Sequence, residues 1–112
     1  MAVPVLDRRL VLEEAQNVPD GAGGFTQSWV VLGSLWARIR PASGQERGVD
    51  AATVSTAPYR ITVRAAPFGA PSRPRPEQRF REGARVFRIL AVSDNDDGGR
   101  TLTCFAQEEV AS

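Results

Sequence analysis

The alternation of apolar and polar positions divides the chain into short strands separated by turns. Leu10 and Leu12 interleave with Val11 and Glu13, which predicts a first strand over Asp7–Ala15. Asn17 to Gly24 collects Asn, Pro, Asp-Gly and Gly-Gly, residues that accept positive φ or preset a bend, so it reads as a turn. Phe25 to Arg40 then carries Trp29, Val30, Val31, Leu35, Trp36 and Ile39, side chains suited to a pleated, half-buried surface. Gly33-Ser34 in its middle predicts a bulge or bend within one long strand. In Tyr59–Arg64 the side chains of Tyr59, Ile61 and Val63 share one face and Arg60, Thr62 and Arg64 the other. Val86–Val92 is entered through a turn at Glu82-Gly83, Asp94–Gly99 is a further turn, and Thr101–Gln107 returns as the last strand. About five short strands with Gly/Asp turns predict an all-β fold, a small antiparallel barrel or sandwich. Its core is expected to hold Leu10, Leu12, Trp36, Ile61, Val63, Phe87, Ile89 and Leu102.

Two stretches fall outside that core. Residues 41–58 are small and polar without alternation, apolar only at Val49 and Val54, and form a long irregular loop after the second strand, with room for one short helix between Gln45 and Thr53. The second loop, 66–79, holds Pro67, Pro71, Pro74 and Pro76 and cannot be an interior strand or helix. Long connections in small domains are usually functional or disordered.

At 112 residues, the chain is expected to form a single domain over 1–112. No apolar run approaches the ~20 residues of a membrane-spanning helix, and the first residues lack the pattern of a signal peptide. Histidine is absent and Cys104 is the single cysteine. That removes disulfide frameworks, Cys/His zinc sites and His-based catalytic triads together. The expectation is a soluble intracellular domain that is not an enzyme, with no catalytic, cofactor-binding or metal-binding residues and no cofactor.

Net charge is +1, but unevenly spread. Residues 60–88 carry eight arginines against Glu77 and Glu82, while residues 89–112 carry five acids against Arg100. All basic residues are arginine, which reads either as a need for planar bidentate donors or as the coding bias of a GC-rich gene. A basic middle and an acidic end suit subunits that meet head to tail, or a protein facing both nucleic acid and protein. Arg73, Arg75, Arg79 and Arg81 are candidate contacts to a DNA backbone or a protein partner, against the simpler reading of a solvated loop. The acidic turn Asp94–Gly99 lacks the bidentate Glu of a calcium loop, Phe105 standing in its place. Cys104, mid-strand, reads as a small core residue.

The order of segments resembles the head–tail joining proteins (head-closure or stopper proteins) of tailed phages and phage-like gene transfer agents. The resemblance runs from Leu6 to Glu109. It is carried by Leu6-Asp7-Arg8-Arg9-Leu10-Val11-Leu12, by Leu35-Trp36-Ala37-Arg38-Ile39-Arg40-Pro41 followed by Ser43-Gly44-Gln45-Glu46, and by Tyr59-Arg60-Ile61-Thr62-Val63-Arg64. Phe87-Arg88-Ile89, the acidic turn, Arg100-Thr101-Leu102-Thr103-Cys104 and a late Glu108 complete it. The resemblance implies a homo-oligomeric ring, a hexamer, in the neck of a virion-like particle assembled in a bacterial host's cytoplasm. Such a ring sits between the portal or adaptor and the tail terminator or tail tube, closes the channel over packaged double-stranded DNA, offers the tail its docking surface, and has no membrane partner. The long loop, with Ser43, Gly44, Gln45, Glu46, Arg47, Gly48 and Asp50, is implied in subunit contacts and in gating the lumen. The alternatives are an adaptor or tail-completion protein of the same neck, and a small nucleic-acid-binding β-barrel using the arginines of 60–88.

Overall fold

A computed structural model of the chain describes residues 5–42 and 56–109. Six strands follow one another: β1 (Arg8–Pro19), β2 (Phe25–Pro41), β3 (Thr56–Arg64), β4 (Arg79–Glu82), β5 (Arg85–Asp94) and β6 (Thr101–Glu109). All pairings are antiparallel, in the order β1-β2-β3-β6-β5-β4, and β4 pairs back onto β1 to close the barrel. Among the described residues no helix is long and apolar enough to cross a membrane.

Alternation sets the inside. Leu10 and Leu12 of β1, Ala37 of β2, Ile61 and Val63 of β3, Phe80 of β4, Phe87 and Ile89 of β5, and Leu102, Cys104 and Ala106 of β6 are buried together. Tyr59 meets Phe87 edge to face, ring centroids 5.4 Å apart, an arrangement the ring quadrupoles favour. The β1–β2 register shifts between Leu12 and Glu13, where Leu32-Gly33 supplies the extra residue. This is the bulge that Gly33-Ser34 predicts. A second shift, at Leu90 of β5, lets both Ile89 and Val92 pack on the core.

Three expectations need correction. Trp36 is not in the core but 58% exposed. It pairs with Arg9, and Ala37, its neighbour, is the residue that turns inward; since successive side chains of a strand take opposite faces, Trp36 must point out. The sixth strand, β4, was hidden between prolines and charged residues, yet Phe80 is one of the largest fully buried side chains. It begins at Arg79, the last residue assigned to the Pro-rich loop. Finally, β1 runs on to Pro19 and leaves only Asp20–Gly24 as the turn. Asp20 Oδ1 accepts the Ala22 and Gly24 N–H groups at 2.8 and 3.0 Å, tightening that turn so the strands can continue.

Candidate functional site

The β1–β4 seam is held by a buried carboxylate. Glu13 follows the bulge, which directs it toward β4, and it is only 4% exposed. Arg79 Nε donates to Glu13 Oε1 at 2.7 Å and Arg81 Nε to Oε2 at 2.9 Å. Burial pushes the Glu13 carboxyl up, but the two guanidiniums outweigh it and hold it below its ordinary value. Arg79 also lies over the Trp29 ring, 4.0 Å from its centroid. A single acid thus satisfies two arginines where the barrel closes.

A second network crosses the other end of that seam. Arg8 Nε donates to Glu82 Oε2 at 2.7 Å, and Arg85 Nε to Glu108 Oε2 at 2.7 Å, with Arg85 Nη1 3.8 Å from Glu82. Arg8 holds Glu82, and Arg85 holds Glu108, below the usual carboxylate range. These pairs link β1 to β4 and β5 to β6, and Arg85 joins the two through Glu82.

The Pro-rich segment is fastened by its own arginines. Arg73 donates to the Ala66 carbonyl at 2.9 Å, reaches Asp94 at 3.3 Å and lies 3.9 Å from the Phe68 centroid. Arg75 pairs with Glu14, whose Oε1 also accepts Gln78 Nε2 at 3.2 Å. All four arginines singled out in the sequence, Arg73, Arg75, Arg79 and Arg81, therefore hold carboxylates of their own chain. The structure splits them into two sets, the last two on β4 and the first two on the segment before it.

Ser43, Gly44, Gln45, Glu46, Arg47, Gly48 and Asp50 lie outside the described residues. The described flanks of that segment meet at one end of the barrel, where Pro41 pairs with Tyr59 and the Ala42 N–H donates to the Pro58 carbonyl at 3.0 Å.

The acidic turn is an ordinary, side-chain-tied hairpin. Asp97 Oδ1 accepts the Arg100 N–H at 2.9 Å, Asn95 Nδ2 donates to Thr101 Oγ1 at 2.8 Å, and Gly98 and Gly99 supply the positive φ that the turn requires. No acidic, Cys or His group of metal-binding arrangement occurs among the described residues. Burial pushes the Cys104 thiol up to about 12, so it stays protonated at neutral pH, as a core residue would.

One feature escaped the sequence reading. Arg38, Arg40 and Arg64 meet no carboxylate among the described residues, and Arg38 Nε is buried without a hydrogen-bond partner. Their signal was present, as arginines alternating with the buried Ala37 and Val63.

The fold and these side chains define a class: a small closed antiparallel barrel whose charges chiefly cross-link its own strands, with large apolar side chains such as Trp36, Phe25 and Phe68 left on its surface. The chain belongs to the phage head completion protein family, whose model matches residues 1–109. Its role is accordingly a structural one in the head–tail region of a phage-like particle. A chain in the structure described as "Virion of native gene transfer agent (GTA) particle" is 55% identical, with a TM-score of 0.77, and the match covers 98% of this chain and 100% of that one. The solution structure of protein SF1141 from Shigella flexneri 2a is 19% identical with a TM-score of 0.69, covering 100% of both chains, a likeness of fold. No curated protein matches the chain.

Proposed function

We propose that this chain forms the stopper ring in the neck of a phage-like particle, between the portal or adaptor and the tail. The observation that carries the reading is the 55% identity, over 98% of the chain, to a component of a native gene transfer agent virion. Membership of the head completion family supports it independently. Copies join head to tail into a ring, packaged double-stranded DNA ends at or passes through the lumen, and the far side of the ring receives the tail terminator or tail tube. The role needs no catalysis, in keeping with a histidine-free chain whose one cysteine is buried.

In this reading the segment 43–56 is the working part. It is long and mostly small and polar, and it contains Gly44 and Gly48, which lower the cost of changing conformation. Its charges Glu46, Arg47 and Asp50 pair between subunits and hold one gate position. The pairing of Pro41 with Tyr59 anchors the segment in the barrel, so it can change without unfolding β2 or β3. Shortening Gly44–Ala52 is expected to leave a folded barrel but to yield particles that leak DNA or fail to join tails. Normal transfer by such particles, with the ring visible in images of the neck, would leave the segment a passive spacer. Absence of the unmodified chain from the neck would remove the stopper reading itself.

A further inference from the structure

The arginines of this barrel form two populations. Those of β4, β5 and the Pro-rich segment hold carboxylates of the same chain, as does Arg8. Arg9, Arg38 and Arg40 hold none among the described residues, and alternation puts them on one outer face. Arg9 pairs with Trp36 and Arg38 with Thr62, while Leu10, Ala37, Ile61 and Val63 take the inward positions between them. Arg60, opposite Arg40, is engaged within its own chain and lies 5.9 Å from the Phe105 centroid, so it is not counted with them.

That face presents donors and no carboxylate. β2 and β3 contain no acid at any position. Ser34, Trp36 and Thr62 stand outward among the arginines and add two hydroxyls and an indole N–H. Arg9 Nη2 donates to Ser34 Oγ at 3.3 Å, which leaves the Ser34 proton free to donate. Arg38 Nε has no acceptor in its own chain. Asp7, just before β1, is exposed and joins no ion pair among the described residues. At the other end the face meets the β5–β6 turn, for Arg64 pairs with Thr101 and the Ala65 N–H donates to the Arg100 carbonyl at 2.9 Å. That turn carries Asp96 and Asp97 beside Arg100, so the acid-free stretch is centred on Arg38 and Arg40 and stops short of Arg64.

A second copy of the chain has few carboxylates for this face. Glu13, Glu14, Glu77, Glu82, Glu108 and Asp94 hold arginines of their own chain, and Asp20 and Asp97 tie their own turns. The anion must come from another component.

We infer that the outer face of β2 and β3 around Arg38 and Arg40 binds the phosphate backbone of double-stranded DNA. This rests on the stopper reading for the presence of DNA and adds the surface that meets it. Guanidiniums, hydroxyls and N–H groups are the donors that phosphate oxygens accept from, and such contacts position a duplex without reading its sequence. A row of donors along two strands, with no acid among them, suits an extended polyanion. An acidic protein surface is the competing occupant, and it would also have to bury Trp36, 58% exposed on the same face.

The test is binding of a short labelled DNA duplex to the full chain, read by fluorescence anisotropy from low to physiological salt. The logarithm of the association constant is expected to fall against the logarithm of salt concentration with a slope of about −3, roughly one for each arginine. The chain carrying Arg38→Gln and Arg40→Gln is expected to melt as a folded barrel and to lose about 2 of that slope. Arg75→Gln with Arg88→Gln removes the same charge from arginines that hold Glu14 and Glu77, and is expected to leave the slope unchanged. No salt-dependent binding by the unmodified chain, or an equal loss in both double variants, would overturn the inference. Absent DNA binding, together with failure of the Arg38→Gln, Arg40→Gln chain and of Trp36→Ala to enter particles, would assign the face to an acidic protein neighbour. Images of a neck ring built from the unmodified chain would leave the stopper reading standing in each case.

Discussion

The barrel and the hairpin that rises from it share two strands but not the same physics. Near Leu10, β1 lies between β2 and β4, and near Ile39 and Ile61 the sheet continues from β2 through β3 to β6, so apolar faces and backbone groups are both covered. Beyond Glu13 and before Trp36 the same two strands have only each other among the described strands. From Gln16 to Pro19 and from Phe25 to Ser28 every residue is exposed. Closure has made a core in one region and left a two-stranded ribbon in the other, a structure that is marginal alone in water. The radius of gyration, 15.2 Å, exceeds the about 13 Å of a compact chain this long, as a projecting ribbon requires. Sequence alternation alone does not separate the two regions. What separates them is how many neighbours each strand has.

The sharpest way to break this contrast is in the core. Ile61 is fully buried on β3 beneath the closed sheet, and Ile61→Ala removes methylenes that the surrounding strands cannot refill. The expected cost is about 2–5 kcal/mol, read from urea unfolding midpoints. A loss below about 0.5 kcal/mol, the level of a surface change, would mean that the alternation of β3 is inverted.

That alternation was also the most legible feature of the sequence. Seven of the eight expected core residues are buried, and the bulge at Gly33 lies where the sequence puts it. Trp36 failed because size was allowed to outweigh position: its neighbour Ala37, a small residue, has the inward place. β4 was illegible because a four-residue strand with one apolar side chain, Phe80, carries almost no periodic signal, and its reason for existing is the partner strands β1 and β5. The charges were harder still. Arg73 to Arg81 look like a free basic run, but their carboxylates, Glu13, Glu14 and Asp94, arrive from other parts of the chain once the barrel closes. The segment 43–55 lies outside the described residues, so the candidate gate rests on sequence.

A middle-sized effect is expected at the junction of the two regions, where Glu13 receives Arg79 and Arg81. Glu13→Gln keeps the shape and one acceptor but discharges the seam, at about 1–2 kcal/mol at neutral pH, because the arginines are part-exposed and water screens them. Glu13, Glu82 and Glu108 all titrate below the ordinary 4.5 in the folded barrel. The unfolded chain therefore takes up protons first as the solution is acidified. Their stabilisation is complete above about pH 5 and is lost as pH falls through 4.5 toward the folded values. Urea midpoints from pH 7 to pH 3 should fall in that window, and the Glu13→Gln chain should fall less. An unchanged slope would place the acid sensitivity elsewhere.

The smallest effect is expected out on the ribbon. Phe25 is 70% exposed and faces no core residue, so Phe25→Ala deletes a large aromatic side chain that buries little. Within the barrel the same deletion would cost several kcal/mol; here the expected change is within about 0.5 kcal/mol. Hydrogen exchange gives the complementary measurement, because ribbon amides beyond Gln16 can open without disturbing the closed sheet while those of β3 and β6 open only with the whole fold. The ribbon should therefore exchange orders of magnitude faster than the barrel in the isolated chain. Equal protection in both regions, or a large destabilisation by Phe25→Ala, would mean that the ribbon is tied into the cooperative core after all, and that strand neighbours are not what divides this molecule.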